Sequence, residues 1–556
     1  MATMSTGEFF AKTLQGYGVT HVFLVPAIFN QAMAAMEDLG ITRVTTHHEM
    51  AAAYMADGYA RAGRRPGICM GQAVGAGNLA AGLRDAYQTG SPVIAVSGGP
   101  QPDARYRYFY QVVEDFPMFA PVTKMNAMVE RPDRLPDLLR QAFRTATTGT
   151  PGPVHLELPG RLGELVAGEG PSEILIEAQH AGYPAYRIPP DPAAVERALA
   201  LLAQAERPVI VAGGGVAASN AGGELVALAE RLSVPVAVSM NGKESVPDDH
   251  PLCLGNVGTY GRRAANQLVA EADLVFFAGS RAGGLTTNNW KLPRPGTRVI
   301  QLDINGEELG RNYPAAVGLL GDARLVLRAM ADQATGSPSR ARLAWAAHAR
   351  EAVRSWWEGL ASALRSDAVP VRPERLCAEL SEFLPEDALL VSDTGHAAIW
   401  TGTMVGLRRP GQRYLRCAGT LGWGFPATLG AKCAQPERTV VCFTGDGGLC
   451  YHLAELETAA RFGINAVIVV NNNGALQQVR RGIDAAYGGT QRGRSKEMWV
   501  FRPGTDYARV AEDLGCLGIR VEKPAGIREA LERACAAGRP ALIDVVTDLE
   551  AAPPWG

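Results

Sequence analysis

The most constraining feature of this sequence is a glycine run around Asp446, followed 27 positions later by Asn473 (473 − 446 = 27). Residues 439–444 form a short apolar, β-branched run, which is typical of a buried parallel strand. Apolar residues then recur at helical spacing up to Gly463, and a second apolar run covers 466–470. Because a right-handed crossover makes these strands parallel, Asp446 and Asn473 are expected to emerge together at their carboxyl ends. A carboxylate, an amide oxygen and glycine-freed backbone suit a hard cation such as Mg²⁺ that holds a diphosphate.

This segment resembles the thiamine-diphosphate motif, in which Gly-Asp-Gly and a later pair of asparagines bracket one strand–helix–strand unit. The resemblance implies that Asp446, Asn473 and the backbone carbonyl of Ala475 hold Mg²⁺. The cofactor-binding residues that it implies here are Gly445, Gly447, Gly448, Asn473 and Ala475. The alternative is an ordinary glycine-rich turn between a strand and a helix.

The bulk composition excludes several classes of protein. At 556 residues the chain is too long for one core, and roughly three or four domains are expected. Apolar residues make up 47% and charged residues 20%, and the net charge of −2 predicts neither nucleic acid nor an anionic membrane as partner. We find no signal-peptide pattern and no apolar run of about 18 residues, so no membrane span is expected. The nine cysteines are scattered without CxxC pairs, which favours reduced thiols in a cytoplasmic protein.

Three segments of the chain alternate short apolar strands with helical patterns. They cover residues 1–165, 190–332 and 368–550, and stretches rich in proline, glycine and polar residues separate them. This alternation predicts an α/β fold of three parallel-sheet domains. The order resembles that of thiamine-diphosphate enzymes, with pyrimidine-binding, central and diphosphate-binding domains, over nearly the whole chain.

The sequence Thr-His-His-Glu around Glu49 resembles the family signature that contains the proton-relay glutamate. The resemblance implies that Glu49 protonates the pyrimidine ring of the cofactor, so that the cofactor's own amine can deprotonate its thiazolium carbon. The alternative is an ordinary glutamate in the first turn of a helix. His48 stands where relatives carry arginine, with His47 before it. We favour a structural role for this histidine pair.

Further stretches resemble cofactor-contacting segments of the family. The run around Leu421 resembles the segment whose bulky apolar residue is wedged between the two cofactor rings and bends the cofactor; its alternative is a core leucine. A glycine-rich turn in the first domain, and the segment 393–396 that follows residues 388–391, resemble segments that contact the cofactor. The residues carried over from these stretches are Leu421, Gly419, Gly75, Asn78, Gly395 and His396.

Resemblance also suggests residues of the substrate pocket. Gln111 precedes Pro-Val-Thr-Lys at the spacing of an active-site glutamine in acetolactate synthases and benzaldehyde lyase, and we predict a hydrogen-bond donor to substrate; the alternative is a structural role. Ala27 and Phe29 are predicted to form an apolar pocket wall. Gln478 and Gly482 replace the methionine and tryptophan usual in acetolactate synthases. The acceptor side therefore differs, and a housekeeping acetolactate synthase is not expected.

The middle domain resembles the FAD-binding central domain of acetolactate synthases. Gly242-Lys243, the segment 258–261 and Asp303 carry the resemblance, whereas the family's Arg-Phe-Asp-Asp-Arg run is absent at 281–285. FAD binding therefore stays open. The glycines at 213–215 form a lone glycine-rich turn, which is weak support for a dinucleotide site.

These observations predict an enzyme that depends on thiamine diphosphate and Mg²⁺. We expect a lyase or carboligase that cleaves a 2-keto acid or 2-hydroxy ketone and transfers the acyl-anion equivalent to a carbonyl acceptor. One alternative is a non-oxidative 2-keto acid decarboxylase, and another is a non-catalytic paralogue. The resemblance further implies a homodimer or homotetramer whose active sites are shared between chains.

Overall fold

The structure is a computed structural model that describes residues 3–26, 28–166 and 168–554. Its β-structure comprises three six-stranded parallel sheets and one two-stranded antiparallel ribbon. Helices cover the sheets, and the predicted α/β class with three parallel sheets is confirmed. No helix in the described part of the chain is long and apolar enough to cross a membrane.

The N-terminal sheet contains strands whose side chains are mostly buried. The strands of this sheet are β2 (His21–Leu24), β3 (Thr42–Thr45), β4 (Gly67–Gly71), β5 (Val93–Gly99), β6 (Met125–Met128) and β7 (Val154–Pro159). The two strands of the ribbon are β1 (Thr3–Ser5) and β8 (Glu169–Pro171), which lie before and after them in the chain. The helices are α1 (Thr6–Gly16), α2 (Asn30–Asp38), α3 (Glu49–Gly63), α4 (Ala76–Thr89) and α5 (Leu135–Thr147). The strand order is β3-β2-β4-β5-β7-β6, and β1 pairs with β8 in the ribbon.

The middle sheet has a different topology. Its strands are β9 (Pro208–Ala212), β10 (Val236–Val238), β11 (Cys253–Asn256), β12 (Leu274–Ala278), β13 (Arg298–Asp303) and β14 (Val317–Leu320). The helices around it are α6 (Pro192–Gln204), α7 (Gly214–Ala218), α8 (Gly222–Leu232), α9 (Arg263–Glu271) and α10 (Ala323–Gln333). The order β11-β10-β9-β12-β13-β14 is that of the dinucleotide-binding α/β folds, with a switch point between β9 and β12.

The C-terminal sheet repeats the topology of the N-terminal one. Its strands are β15 (Leu389–Ser392), β16 (Arg413–Arg416), β17 (Val440–Gly445), β18 (Val467–Asn472), β19 (Leu517–Val521) and β20 (Ala541–Val546), in the order β16-β15-β17-β18-β20-β19. The helices that precede and surround it are α11 (Arg340–Glu358), α12 (Ala361–Leu364), α13 (Pro373–Phe383), α14 (His396–Met404), α15 (Gly424–Ala434), α16 (Asp446–Cys450), α17 (Glu455–Arg461), α18 (Arg480–Ala486), α19 (Tyr507–Asp513) and α20 (Ile527–Ala536).

The prediction of one continuous helix between β17 and β18 is wrong, because the structure has two short helices there, α16 and α17. Between them the backbone makes hydrogen bonds to the third preceding residue, from Tyr451 to Gly448 and from His452 to Leu449. These tighter turns break the α-helical ladder. The buried side chains of His452 and Glu455 are thereby turned towards the N-terminal domain.

The N-terminal and C-terminal domains dock through helices α3 and α15. The backbones of these helices touch, since an added methyl group at Gly58 would overlap the carbonyl oxygen of Ala427, and one at Gly430 would overlap that of Met55. Close approach of this kind requires glycine. The predicted limits of the three domains stay predictions, while the sheets themselves occupy residues 21–159, 208–320 and 389–546.

Candidate active site

The structure brings Asp446, Asn473 and Ala475 together at the carboxyl edge of the C-terminal sheet. Strands β17 and β18 pair directly, with Gly445 opposite Asn471. The backbone N–H of Ala475 donates to Oδ2 of Asp446 at 3.1 Å and to Oδ1 of Asn473 at 3.2 Å. Oδ1 of Asp446 accepts from the backbone N–H of Gly447 at 2.8 Å. The two side chains expected to share a site therefore converge on one backbone group.

Asp446 is a buried carboxylate without a cationic side chain beside it. Burial raises its pKa to about 7, although the surrounding backbone N–H groups favour the charged form. No ion pair to Asp446 occurs within residues 3–26, 28–166 and 168–554. The buried Oδ1 of neighbouring Asn471 also lacks a hydrogen-bond donor. A divalent cation at this edge would supply the missing positive charge, so the residues present fit Mg²⁺.

A cation here would be bound without a dense cluster of ionisable ligands. No group of three or more His, Cys, Asp and Glu side chains that could hold a metal occurs in the described chain. The available oxygens come instead from one carboxylate, one amide and the backbone. Ligand sets of this kind leave coordination positions for phosphate oxygens, as Mg²⁺ sites commonly do.

The glycines of the motif do not all have the same role. An added methyl group at Gly447 would lie 2.5 Å from Cδ2 of Leu476, and one at Gly448 would lie 2.6 Å from Oγ1 of Thr444. Packing alone therefore explains these two glycines. The corresponding position at Gly445 faces open space, which leaves room for a ligand beside its backbone.

Gln477 links several predicted site residues, and sequence reasoning missed that role. Its Oε1 accepts from Nδ2 of Asn473 at 3.2 Å and lies 3.0 Å from Nδ1 of His396. Its amide group donates to the carbonyl of Ala551 at 3.0 Å and to that of Leu549. Gln477 is buried, and its hydrogen bonds orient Asn473 and His396.

Gly395 and His396 lie where β15 leads into α14. Gly395 has a φ of +68°, a conformation that favours glycine, and an added methyl group there would lie 3.2 Å from Oε1 of Gln478. His396 is the first residue of α14, and burial lowers its pKa, which favours the neutral ring. This helix start lies next to the Asn473 site through Gln477, and its N–H groups suit an anion such as a diphosphate.

In the N-terminal domain the structure gathers Glu49, Asn78 and Gly75. Glu49 is the first residue of α3 and is only 9% exposed. Its Oε2 accepts a 2.9 Å hydrogen bond from Nδ2 of Asn78. An added methyl group at Gly75 would overlap Oε1 of Glu49, so the glycine turn is shaped around this carboxylate. A buried carboxyl held by a neutral amide is suited to proton exchange with a ligand.

The two histidines before Glu49 have structural contacts. Nδ1 of His48 accepts from the backbone N–H of Met50 at 3.1 Å and so caps helix α3. The backbone N–H of His47 donates to Oε1 of Glu455 at 3.0 Å, and its ring lies 2.8 Å from Oε2 of Glu457. These contacts agree with the structural role favoured from the sequence.

Leu421 lies in the segment between β16 and α15. Its side chain is half-buried, and Gly419 beside it is exposed. A leucine that the protein does not bury, on a segment whose backbone N–H groups are hydrogen-bonded, can pack against a ligand. Its role as a wedge stays a prediction.

Gln111 lies on the loop after β5 and has a φ of +64°. Its Oε1 accepts a 2.8 Å hydrogen bond from Arg161, which follows β7. The amide NH₂ of Gln111 has no acceptor in the described part of the chain, so it can donate to a ligand. The contact with Arg161 gives Gln111 a fixed orientation.

The remaining predicted pocket residues are Phe29, Ala27 and Gln478. Phe29 is buried in the N-terminal core, with its ring 5.6 Å from that of Phe10, and its role in a pocket wall stays a prediction. Ala27 lies outside the described residues. Nε2 of Gln478 donates to the hydroxyl of Tyr260 at 2.6 Å, which connects the C-terminal domain to the middle one. Sequence reasoning gave no signal for this contact.

The two groups of site residues are not joined within one chain. No hydrogen bond between described residues links Glu49, Gly75 or Asn78 to Asp446, Asn473 or Leu421. Each domain therefore presents its own half-site at the carboxyl edge of its sheet.

The middle domain uses its glycine-rich turn for packing. Added methyl groups at Gly213 and Gly215 would both meet the backbone of Gly279, in the loop after β12. Several buried oxygens at the same edge have no hydrogen-bond partner among the described residues, including Oδ1 of Asn241 and Oγ1 of Thr259, in the loops after β10 and β11. A ligand or an ordered water at this edge would supply the missing donors.

Comparison with known proteins gives three matches to family models along the chain. The model of the thiamine pyrophosphate enzyme, N-terminal TPP binding domain, matches residues 4–118; that of the central domain matches 195–330; and that of the C-terminal TPP binding domain matches 393–545. A probable acetolactate synthase large subunit of Methanocaldococcus jannaschii is 33% identical over 100% of this chain and 94% of its own length. The glyoxylate carboligase of Escherichia coli O157:H7 is 31% identical over 99% of this chain and 93% of its own length.

Proposed function

The chain belongs to the thiamine-diphosphate-dependent enzymes, in the branch similar to acetolactate synthase, and from this premise we propose that it is a carboligase or lyase. It would cleave the bond next to the carbonyl of a 2-keto acid or 2-hydroxy ketone and transfer the acyl-anion equivalent to a carbonyl acceptor. The relatives named acetolactate synthase and glyoxylate carboligase support this proposal. The observation that carries it is the buried Glu49 carboxyl, held by Asn78 against the glycine turn at Gly75.

Thiamine diphosphate, when bound, supplies the carbon nucleophile that attacks the substrate carbonyl. Asp446, Asn473 and the carbonyl of Ala475 would hold Mg²⁺, which would hold the diphosphate. The start of helix α14 at His396 would add backbone N–H groups to the same anion. The charge that burial disfavours on Asp446 supports a cation in this place.

Glu49 would hold and return a proton at the pyrimidine N1′ of the cofactor. Asn78 keeps the carboxyl in one orientation, and burial keeps water away from it. Leu421 would pack between the cofactor rings, while the free NH₂ group of Gln111 would donate to the substrate oxygen. Gln478 would line the acceptor side, where its bond to Tyr260 fixes its position.

We propose as a second ligand a nucleotide such as FAD in the middle domain. The strand order of this domain and the partnerless oxygens of Asn241 and Thr259 at one edge support it. The test is to denature the purified protein and record the absorbance spectrum of the released small molecules. A flavin band would support the proposal, and a colourless supernatant from protein purified without added flavin, together with no binding of added FAD, would contradict it.

We propose that the active enzyme is a homodimer or homotetramer with shared sites. No hydrogen bond between described residues joins the two half-sites in one chain, and the loop that carries Gln111 exposes several large aromatic and apolar side chains. These are Tyr106, Tyr108, Tyr110 and Val113. An exposed cluster of this kind next to a half-site suits burial against a second copy. Light scattering on the active fraction tests it, and an active monomer would contradict it.

We also propose a cytoplasmic location. All nine cysteines are free, and seven of them are buried or half-buried. Burial raises the pKa of the Cys516 thiol to about 11, which keeps it protonated and unreactive. Free thiols of this kind are usual in a reducing compartment. Fractionation of cells that express a tagged chain would test the location.

The proposed reaction can be tested by a product screen. Purified protein with thiamine diphosphate and Mg²⁺ is given pyruvate, phenylglyoxylate or benzoin, each with and without an aldehyde acceptor, and the products are identified by mass spectrometry. A hydroxy ketone that forms only with both partners supports the carboligase. Release of free aldehyde at the same rate with and without the acceptor would instead indicate a decarboxylase. Glu49→Gln, which keeps the size of the side chain, is the matched control for both outcomes.

A further inference from the structure

The segment that carries Leu421 is held by three buried carboxylates from two domains. Its backbone N–H groups at alternate positions donate to two of them. Asp85, on helix α4 of the N-terminal domain, accepts from Ala418 and, at 3.1 Å, from Thr420. Asp393, which follows β15, accepts from Gly422 at 3.1 Å and from Gly424 at 3.0 Å.

The third carboxylate holds the side chain of Trp423. Oδ2 of Asp57, on helix α3, accepts a 2.8 Å hydrogen bond from Nε1 of this tryptophan. Asp57, Asp85 and Asp393 are all fully buried, and so is Trp423. Two of the three carboxylates come from the N-terminal domain, so contacts across the domain boundary determine the conformation of this C-terminal segment.

Leu421 is the residue between these attachment points. The N–H groups on both sides of it, at Thr420 and Gly422, are hydrogen-bonded to different carboxylates. Gly422 has a φ of +90°, and an added methyl group there would overlap the side chain of Tyr451. The backbone on both sides of Leu421 is thus fixed by hydrogen bonds and by packing, while its side chain stays half-exposed.

We propose that Asp85 and Asp393 are positioning residues that hold Leu421 in place before the cofactor binds, so that the N-terminal domain sets the bend of the cofactor. This inference rests on the proposed function, because it takes Leu421 as the residue that packs between the cofactor rings. The cofactor must be bent for its amine to reach its thiazolium carbon, so a displaced leucine slows deprotonation of that carbon.

Carboxylates are needed for this arrangement, because each has two oxygens that only accept hydrogen bonds. Asparagine would offer one acceptor oxygen and turn its NH₂ group towards a backbone N–H. At Asp85 that change leaves one of the two donors, Ala418 or Thr420, without an acceptor. Four backbone N–H donors of the segment, and a fifth from Thr394 to Asp393, offset part of the cost of burying two charges. Burial still raises the pKa of Asp393 to about 6.

The test compares Asp85→Asn with Glu244→Gln. Glu244 also accepts a backbone N–H across a domain boundary, from Tyr414 at 2.8 Å, four residues before the segment begins. Amide hydrogen exchange of residues 418–424 is measured in the protein without cofactor. We expect exchange in this segment to become at least about tenfold faster in Asp85→Asn and to stay unchanged in Glu244→Gln. The segment opens more easily when one of its N–H groups loses a hydrogen bond to a charged acceptor.

A second measurement follows the cofactor itself. The C2 hydrogen of bound thiamine diphosphate is exchanged for deuterium, quenched with acid and quantified by NMR, with no substrate present. We expect Asp85→Asn to slow this exchange about tenfold or more while the dissociation constant of the cofactor changes only a few-fold. Leu421→Ala should slow the exchange similarly without altering amide exchange at 422 and 424.

The outcomes separate this inference from the proposed function. Slower C2 exchange with faster amide exchange supports the inference, even if the product screen finds no carboligation. Unchanged amide exchange in Asp85→Asn, or equal effects of Glu244→Gln, would overturn it. If Asp85→Asn does not fold, Asp393→Asn gives the same test from the other side of Leu421. An amide at position 393 cannot accept from both Gly422 and Gly424.

Discussion

The N-terminal and C-terminal domains have the same strand order and carry different chemistry. Counted along each domain's sheet strands, the order in space is second, first, third, fourth, sixth, fifth in both. Glu49 follows the second strand of its sheet, and Leu421 follows the second strand of the other. Gly75 and Asn78 follow the third strand, as Asp446 does in the C-terminal domain. The same two loops therefore carry part of the candidate site in both domains, while Asn473 and His396 follow the fourth and the first strand of the C-terminal sheet.

The difference lies in what each pair of loops presents. The N-terminal pair offers a carboxyl and a neutral amide, which suit proton transfer at a ligand ring. The C-terminal pair offers an apolar side chain and a carboxylate whose charge lacks a partner, which suit a wedge and a cation. The topology determines where a site can form, and the residues on the loops determine its chemistry. The following predictions test this division of roles.

The largest effect is expected at the cation half-site. Asp446→Ala should abolish detectable turnover and weaken binding of Mg²⁺ with thiamine diphosphate by more than about 100-fold, because it removes the only carboxylate ligand proposed. Isothermal titration of the cofactor at fixed Mg²⁺ measures this. Retained affinity would mean that the C-terminal loops do not carry the cation. Asp387→Ala, at an exposed position just before β15, is the control for loss of a surface carboxylate.

The proton half-site should behave in the opposite manner. Glu49→Gln is expected to bind the cofactor with little change but to lower kcat by about 10²–10⁴-fold, because the amide cannot transfer the proton. Steady-state kinetics beside a binding titration separates the two quantities. A variant with near-wild-type turnover would remove Glu49 from the mechanism.

Gln477 should affect the cation site at a distance. Gln477→Met removes the acceptor for Asn473 and is expected to weaken Mg²⁺ binding by about 10–100-fold, the range usual for residues that orient a ligand. Gln478→Met is the matched control, since that side chain contacts Tyr260 and not Asn473. Equal losses in the two variants would contradict an orienting role.

The smallest effect concerns the contact between the two domains. His452 packs edge-on against Tyr54, with ring centroids 5.6 Å apart, and burial lowers its pKa to about 4. The folded state therefore excludes a proton that the unfolded state binds. The contribution of neutral His452 to the free energy of unfolding is therefore fully present above about pH 6.5 and is lost as the pH falls towards 4.

His452→Phe should remove this pH dependence. At pH 5 the wild-type chain is expected to lose about 2 kcal/mol of its free energy of unfolding through His452, relative to pH 7, and the phenylalanine variant should not. Urea denaturation at both pH values measures the difference. His348→Phe, at an exposed position on α11, is the control, and an identical pH dependence of wild type and His452→Phe would contradict the prediction.

Much of this arrangement could be predicted from sequence, because it depends on local pattern. The strands before Asp446 and Asn473, their parallel pairing and the convergence of the two side chains follow from an apolar run, a crossover and a second apolar run. The break between α16 and α17 could not be predicted, since the helical spacing of apolar residues continues through it. The residues at the break, His452 and Glu455, contact the N-terminal domain, which a local pattern does not encode.

Contacts between distant segments gave no sequence signal. Asp85 accepts a hydrogen bond from Ala418, which lies 333 positions away in the chain. The sequence does not show whether an aspartate within a helix is hydrogen-bonded to solvent or to a buried N–H group. Gln477 likewise gave no signal in the sequence, because its amide donates to the carbonyls of Leu549 and Ala551, more than 70 positions away. Such roles depend on packing between domains and become visible only in three dimensions.

We propose that Glu49 of one chain and Asp446 of another complete one site. This proposal is tested by co-expressing Glu49→Gln and Asp446→Ala chains with different tags and purifying the mixed assembly. In a mixed dimer with shared sites, one site carries both changes and the other carries neither. We expect C2 hydrogen exchange of bound cofactor at about half the wild-type level per dimer, although each variant alone is inactive. No recovery in the mixed dimer would show that each chain builds its site alone and would contradict the shared site.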